Sequence, residues 1–152
     1  MSRKQLSKKE IKELSESIRE IYGIEGFSKK ESVELIDGVL VARNGKVEFF
    51  LHHGLPVPTL RSLQERNFLK RVVVDMGAVK FVASGADVMR PGIVEADEGI
   101  LKGDVVAVVD EKNGRPIAVA EAMFKGDELM ALNAGKVLRC IHHVGDRVWD
   151  GC

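Results

Sequence analysis

Residues 71–93 read RVVVDMGAVKFVASGADVMRPGI, and the chain's pattern changes within them. RVVVD is a short run of apolar, mostly β-branched residues, which predicts a buried strand. MGAVKFVAS then predicts a short helix that turns Val79, Val82 and Ala83 inward. The last part, VASGADVMRPGI at 82–93, holds two glycines, one proline and one arginine, so an irregular loop is predicted there.

Short strands separated by turn glycines make up the rest of this half. GDVVAVVD and IAVAEAMF flank a turn at Asn113-Gly114 and predict a hairpin. Asp127 is predicted to cap a short helix, ELMALNA, closed by Gly135. KVLRCIHH and RVWD are predicted as the last strands. Many short strands and almost no long helix are typical of a small, partly open β-barrel.

The first half begins with a helix whose start and end are both marked. Ser7 and Glu10 fit a capping box, and the apolar residues that follow recur at helical spacing until Gly23, which fits a C-terminal cap. Lysines, arginine and glutamates mix on the remaining surface. A solvated helix face explains these charges more simply than an RNA-binding ridge.

A meander follows this helix. VELI, VLVAR and KVEFFL are separated by Asp37-Gly38 and Asn44-Gly45, which are strong hairpin signals. Pro56 and Pro58 break the strand pattern, and Thr59 is predicted to cap a short helix that runs to about Asn67. We therefore predict an α+β protein with a small α/β domain at 1–69 and a pseudo-β-barrel at 70–152.

Charge is balanced over the chain but not between its halves. Residues 1–69 hold 12 Lys and Arg against 10 Asp and Glu, a net charge of +2, and residues 70–152 hold 11 against 13, a net charge of −2. Neither half is basic enough to bind nucleic acid by bulk electrostatics. Any RNA binding is therefore expected to use a local patch, and DNA is not a predicted partner.

Composition also suggests where the protein works. No apolar run approaches the roughly 20 residues of a membrane helix, and MSRKQLSKKE does not resemble a signal peptide. Cys140 and Cys152 match no metal-ligand spacing and are expected to be free thiols. We expect a cytoplasmic protein with no membrane partner.

No arrangement of residues predicts catalysis, a metal or a cofactor. His52-His53 and His142-His143 are expected to point to opposite faces of their strands, so neither pair should hold one ion. The sequence has no phosphate-binding glycine motif and no nucleophile elbow. Glu95, Asp97 and Glu98 are expected in an exposed turn, without the apolar pocket that separates the pKa values of a catalytic pair.

The loop at 84–92 is the candidate site. Gly85 and Gly92 permit backbone angles that other residues avoid, and Pro91 is expected to hold Arg90 extended with its side chain outward. A guanidinium suits phosphate binding and base stacking, and Lys80 and Lys102 are expected to flank it. A corner of the barrel would explain the same glycines and proline without any ligand, and spacing alone favours that simpler explanation.

The second half closely resembles the PUA domain, named for pseudouridine synthases and archaeosine transglycosylases. The residues that carry this resemblance are Asp75, Gly77-Ala78, Ser84-Gly85-Ala86, Arg90-Pro91-Gly92, Gly103-Asp104, Pro116-Ala118 and Gly145-Asp146-x-x-Trp149. Three motifs resemble those of the malignant T-cell-amplified sequence protein family: Asp75-x-Gly77-Ala78, Ser84-Gly85-Ala86 and Met89-x-Pro91-Gly92. In that family a small N-terminal domain precedes the PUA domain, as residues 1–69 do here.

The resemblance implies a non-catalytic, RNA-binding, translation-associated protein of the stand-alone archaeal type. Its expected RNA is a tRNA acceptor end or rRNA of the small ribosomal subunit, and its expected protein partner is a density-regulated-type factor. The RNA-binding residues it implies, together with the two flanking lysines, are Lys80, Ser84, Gly85, Ala86, Met89, Arg90, Pro91, Gly92 and Lys102.

A second function remains open from the sequence. The chain could be an adaptor in ribosome biogenesis or translation that binds proteins and does not touch RNA. Phe49 and Phe50 lie on opposite faces of VEFFL, so one of them would be exposed unless the helix at 59–67 covers it. An uncovered phenylalanine would favour the adaptor.

Overall fold

The computed structural model describes all 152 residues, Met1 to Cys152. Two compact units form, one of Met1–Thr59 with Gly151–Cys152 and one of Leu60–Asp150. Residues 60–69, which the sequence assigned to the first unit, therefore cluster with the second. Gln64 illustrates why, because its side-chain amide donates to the carbonyl of Pro116 at 2.9 Å. None of the helices combines the length and apolar character that a membrane span requires.

The first unit contains one long helix, α1 (Lys8–Tyr22), and both of its predicted ends are confirmed. Ser7 Oγ accepts the backbone N–H of Glu10 at 3.1 Å, and Glu10 Oε1 accepts that of Ser7 at 3.0 Å, which completes the capping box. Gly23 follows with φ 68° and donates its N–H to the carbonyl of Arg19.

A five-stranded antiparallel sheet accompanies this helix, in the order β1-β2-β3-β4-β5. The strands are β1 (Arg3–Gln5), β2 (Val33–Ile36), β3 (Leu40–Arg43), β4 (Lys46–His52) and β5 (Leu55–Pro58). The predicted meander is confirmed as β2 to β4, but both edge strands were missed. Strand β1 is short and polar, and Pro56 and Pro58 are tolerated in β5 because an edge strand needs fewer backbone N–H donors.

Both phenylalanines of VEFFL are buried, so the exposed aromatic contact expected for an adaptor is absent. Phe49 is 3% exposed and packs edge-on against the ring of Phe27, with centroids 6.0 Å apart. Phe50, on the opposite face, is 4% exposed and pairs with Leu40 and Val57 on the neighbouring strands. The feature that favoured the adaptor is therefore not present.

The second unit has a six-stranded mixed sheet, in the order β7-β11-β10-β9-β6-β8. Its elements are α2 (Leu60–Glu65), β6 (Arg71–Val74), α3 (Met76–Val82), β7 (Val88–Met89), a 3-10 turn (Arg90–Gly92), β8 (Ile93–Ala96), β9 (Val105–Asp110), β10 (Pro116–Ala122), α4 (Gly126–Ala131), β11 (Lys136–His143) and α5 (Arg147–Gly151). Strands β6 and β9 are parallel and the other pairs antiparallel.

Register shifts interrupt every antiparallel pairing of this sheet. Such irregularities bend strands and increase their twist. The sheet surrounds a core of small and β-branched residues from β6, β9 and β10, closed by Leu129 of α4 and Leu138 of β11. The predicted α+β class is confirmed, and the second unit is the β-rich body that the short strands predicted.

Two predictions near the C-terminus are wrong. RVWD is not a strand but lies in α5, because Asp146 accepts the N–H of Trp149 at 2.9 Å and so caps a helix. Helix α4 forms where predicted, but its N-cap is Lys125 and not Asp127, and no side chain caps it.

Candidate nucleic-acid interface

Helix α3 is fixed at its first turn by three hydrogen bonds. Asp75 is the N-cap, and its side chain accepts the N–H of Ala78 at 2.9 Å. Its own N–H donates to the carbonyl of Gly92 at 2.9 Å, and Glu111 accepts the N–H of Met76 at 3.1 Å. Because strand β6 leads directly into this cap, the helix and the loop after it are held on the barrel.

The chain after α3 makes a tight loop in which Gly85 is required. Gly85 has φ 101°, a conformation that favours glycine. A Cβ at this position would lie 2.7 Å from Nε2 of His143, so space as well as conformation excludes a side chain. Ser84 Oγ donates to the carbonyl of Lys80 at 2.8 Å, and the N–H of Ala86 donates to the carbonyl of Phe81 at 3.0 Å. The predicted left-handed glycine is confirmed.

Asp87 ties the end of this loop to strand β11. Its carboxylate accepts the N–H of Cys140 at 2.8 Å and the ammonium of Lys136 at 2.8 Å. The hydrogen bond from Lys136, followed by that from Cys140, lowers the pKa of Asp87. The loop is thus anchored through an ionised carboxylate and keeps a defined shape.

Arg90 does not point outward as predicted. Its Nη1 donates to the carbonyl of Ile93 at 3.1 Å and its Nη2 to the carbonyl of Met130 in α4, also at 3.1 Å. Its Nε is buried without a partner. The guanidinium is used to join the start of β8 to α4, because two backbone carbonyls converge where its fork can reach both.

Pro91 and Gly92 form the short turn that follows, and Gly92 is needed for a different reason than predicted. Its φ is not in the left-handed region, but a Cβ there would lie 2.9 Å from the Cβ of Ala78. Gly92 therefore allows α3 to pack closely on the turn Arg90–Gly92. Pro91 is exposed at the start of that turn.

Exposed side chains on and beside α3 form the surface that a ligand could meet. Phe81 is 59% exposed and Met89 is 50% exposed, which is unusual for large apolar residues. The ammonium of Lys80 lies 5.0 Å from the centre of the Phe81 ring. This arrangement presents an aromatic face with an adjacent cation, which suits base stacking and phosphate neutralisation.

Phe81 and His143 were missed from the sequence. The signal for Phe81 was present, because Val79, Val82 and Ala83 define the inward side of α3 and leave Phe81 outside it. His143 had no local signal. It reaches Gly85 only through the pairing of β11 in the folded sheet, where its Nδ1 lies 2.9 Å from the carbonyl of Val144.

Lys102 belongs to a different turn of the chain from these residues. It is exposed in the turn before β9, next to Gly103, whose N–H donates to the carbonyl of Ala122. No hydrogen bond or ion pair joins it to α3 or to residues 84–92. Lys136 is paired with Asp87 and Arg139 with Glu121, and Arg90 is bonded to two backbone carbonyls, so the ammonium of Lys80 is the cation of the site without such a partner.

The two histidine pairs differ in geometry, and the prediction that His52 and His53 point to opposite faces of a strand is wrong. His53 lies beyond β4 with φ 51°, and its ring packs on that of His52 with centroids 4.2 Å apart, so this pair does not point to opposite faces. His142 is buried and His143 is partly exposed, as expected for neighbours in a strand. No group of three or more His, Cys, Asp or Glu side chains is placed to hold a metal.

The fold and this loop define a PUA-domain protein, since residues 70–144 match the family described as the PUA domain. This is an RNA-binding fold. The chain is 34% identical to Translation machinery-associated protein 20 of Saccharomyces cerevisiae over 80% of this chain and 74% of that protein. It is 33% identical to the Malignant T-cell-amplified sequence 1 homolog of Drosophila melanogaster over 80% of this chain and 72% of that protein.

The chain belongs to the family of Translation machinery-associated protein 20 and the Malignant T-cell-amplified sequence proteins. Its structure is also similar to the crystal structure of a hypothetical protein from Pyrococcus horikoshii OT3, with a TM-score of 0.86, 36% identity and 99% of each chain covered. The resemblance stated from the motifs is confirmed.

Proposed function

We propose that this protein is a non-catalytic translation factor whose second unit binds the single-stranded end of a structured RNA. Exposed Phe81 beside Lys80, on a helix followed by an anchored glycine loop, is the observation that supports this proposal. The stacking of one base on an aromatic side chain contributes about 1–3 kcal/mol, and every base offers a π-face. A tRNA acceptor end or an unpaired segment of rRNA fits such a surface.

The proposed contacts differ in kind between the residues of the site. Phe81, Met89 and Lys80 meet the RNA with their side chains, and Ser84 to Ala86 meet it with the backbone of the loop. Arg90 and Gly92 shape the surface from beneath, because the Arg90 guanidinium is bonded to two carbonyls, and exposed Pro91 borders the surface at the turn. Lys102 is a secondary electrostatic contact.

The cellular location and the partners of the protein are also part of this proposal. We propose that the protein works in the cytoplasm on the small ribosomal subunit, and that its first unit, with a density-regulated-type factor, adds contacts to the ribosome. The names of its relatives support a role in translation. The net charge of −2 in residues 70–152 supports a small number of phosphate contacts and hence a shallow salt dependence.

A binding assay with two forms of one tRNA tests the proposal. Intact tRNA and the same tRNA without its single-stranded 3′ end are titrated with the wild-type protein, Phe81→Ala and Leu55→Ala. Leu55 is a matched control because it is 52% exposed but lies in the first unit. We expect Phe81→Ala to weaken binding of intact tRNA by about tenfold, within the range for loss of one stacked base, and Leu55→Ala to have no effect.

Two outcomes would contradict the proposal. Wild-type protein that binds both forms of the tRNA equally does not recognise the end. Phe81→Ala protein that binds intact tRNA like the wild type does not use α3. Sedimentation with small ribosomal subunits at two salt concentrations would show whether the protein binds the ribosome and how strongly charge contributes.

A further inference from the structure

The charges on α1 are segregated into two stripes. At 3.6 residues per turn, Lys8, Lys12 and Arg19 project within about 40° of one another around the helix axis. Glu13, Glu16 and Glu20 project within about 60° of one another on the adjoining side. All six side chains are exposed. We name Lys8, Lys12 and Arg19 the basic stripe, which extends over about 16 Å of the helix.

A loop pinned to α1 brings two more lysines beside this stripe. Ser15 Oγ accepts the N–H of Phe27 at 2.8 Å and donates to its carbonyl at 3.2 Å. A Cβ on Gly26 would collide with the Cβ of Ser15, so the loop rests directly on the helix. Ser15 projects about 20° from Lys8, which places this contact on the side of the basic stripe.

From Phe27 the chain runs back towards the start of α1. The hydroxyl of Ser32 is 3.2 Å from the side-chain amide nitrogen of Gln5, just before the helix begins. Residues 28–31 therefore lie along the first half of α1, with Lys29 and Lys30 exposed in a turn. We name the basic stripe and these two exposed lysines of the adjoining loop, taken together, the basic patch.

Two acidic residues near this patch, Glu10 and Glu31, are paired with other cations, and Glu13, Glu16 and Glu20 lie on the adjoining side of α1. Glu10 binds Lys4 at 3.0 Å, and Glu31 binds Arg43 at 3.4 Å. No ion pair is formed by any of the five cations of the basic patch. The five cations are therefore exposed and not held in ion pairs, so each is available to a phosphate, and sequence composition alone does not reveal this arrangement.

We propose that the basic patch binds the phosphate backbone of double-stranded RNA. Lysines on a helix, spaced along one side, neutralise phosphates without reading base identity, and no exposed aromatic side chain in the patch favours unpaired bases. This inference rests on the proposed RNA-binding function but assigns a second contact to the first unit. The first unit would hold a helical segment of RNA, and the second unit would bind an unpaired end.

Binding to a blunt RNA duplex, which has no single-stranded end, tests the proposal. Affinity is measured by fluorescence anisotropy at several salt concentrations for the full chain and for Lys12→Gln/Lys30→Gln. Lys9→Gln is the matched control, because Lys9 is on the same helix but projects among the glutamates. Each cation lost from a phosphate contact lowers the slope of log affinity against log salt by roughly 0.7–0.9, so the double variant should lose about twice that.

The outcomes separate this proposal from the proposed function of the second unit. A reduced slope and affinity for the double variant, with Lys9→Gln unchanged, supports the basic patch. A loss for Lys9→Gln that is half that of the double variant, and so equal per charge removed, indicates non-specific attraction and overturns it, as does a wild-type protein that does not bind the duplex. Phe81→Ala is expected to bind the duplex normally, so failure of the α3 site and failure of the basic patch appear in different variants and with different RNAs.

Discussion

The imidazole of His142 is buried between two partners, and Asp146 accepts its Nδ1–H at 2.8 Å. The other ring nitrogen, Nε2, accepts the backbone N–H of Leu60 at 3.0 Å. This geometry requires the neutral ring with its proton on Nδ1, because a protonated Nε2 cannot accept a hydrogen bond. The pair thus connects the start of α2 with the residues that precede α5.

The stability of the protein is expected to fall in mild acid because of this pair. Burial lowers the pKa of His142 below 6.5, although Asp146 acts to raise it. The unfolded chain therefore binds a proton more readily than the folded protein, so this stability is fully present above about pH 6.5 and decreases below it. The decrease should not exceed about 1.4 kcal/mol per pH unit for one group. Chemical denaturation between pH 7.5 and 5.5 measures it.

Replacement of His142 provides the control for this prediction. His142→Gln should be less stable at neutral pH but should lose most of the dependence on pH in this range. His53→Gln, which changes an exposed histidine, should keep the wild-type dependence. An unchanged pH dependence in His142→Gln would show that other groups cause the acid sensitivity.

Gly85→Ala is expected to destabilise the second unit more than alanine at another glycine with a left-handed φ. The substitution combines a left-handed φ of 101° with a Cβ placed 2.7 Å from the His143 ring. Gly103→Ala is the matched control, since Gly103 has φ 89° but a Cβ added there would meet no atom within 4 Å. We expect the free energy of unfolding to fall by about 1 kcal/mol for Gly103→Ala and by about 2–3 kcal/mol for Gly85→Ala.

A double variant separates the two causes at position 85. His143→Ala removes the ring that a side chain at 85 would meet, so Gly85→Ala/His143→Ala should cost less than the sum of the two single variants. Additive costs in thermal or chemical unfolding would mean that backbone strain alone accounts for the glycine.

Arg90 is expected to matter for stability and not for direct RNA contact. Arg90→Lys leaves one ammonium to serve two carbonyls, on Ile93 and Met130, that now receive separate guanidinium nitrogens. The loss should be about 1–3 kcal/mol in the free energy of unfolding. Lys102→Gln, an exposed cation, should change stability by less than about 0.5 kcal/mol.

RNA binding by Arg90→Lys distinguishes a structural role of Arg90 from direct contact with RNA. At a temperature where Arg90→Lys remains folded, its affinity for intact tRNA should be within about twofold of the wild type, a difference of about 0.4 kcal/mol. A tenfold loss of affinity without a loss of stability would restore Arg90 as a direct contact.

Local signals in the sequence predicted the glycine loop after α3 but not the direction of the side chains around it. The capping box at Ser7, the two Asx-Gly turns and the glycine loop after α3 depend on neighbouring residues, so each could be read from a short stretch. Arg90 could not, because one of its acceptors, Met130, is 40 residues away in the sequence. The inward turn of its guanidinium depends on where α4 packs.

The elements that could not be predicted from the sequence also depend on contacts in the folded protein. Strand β5 carries two prolines that argue against a strand, and only its place at the sheet edge makes them acceptable. Helix α5 follows from the cap that Asp146 provides, whereas RVWD alone has β-branched and aromatic residues typical of strands. Likewise the basic patch requires the contact between Ser15 and Phe27, which no local pattern predicts.

Ser15→Ala is expected to destabilise the first unit by about 1–3 kcal/mol, because the N–H and carbonyl of Phe27 would both lose a buried partner. Ser17→Ala, on the same helix but less buried, is the matched control and should change the free energy of unfolding by less than about 0.5 kcal/mol. Chemical denaturation of the two variants measures the difference, and equal free energies of unfolding would show that this hydroxyl does not hold the loop at 26–31. Under conditions where Ser15→Ala stays folded, its affinity for the RNA duplex should also fall, because Lys29 and Lys30 are no longer fixed beside α1.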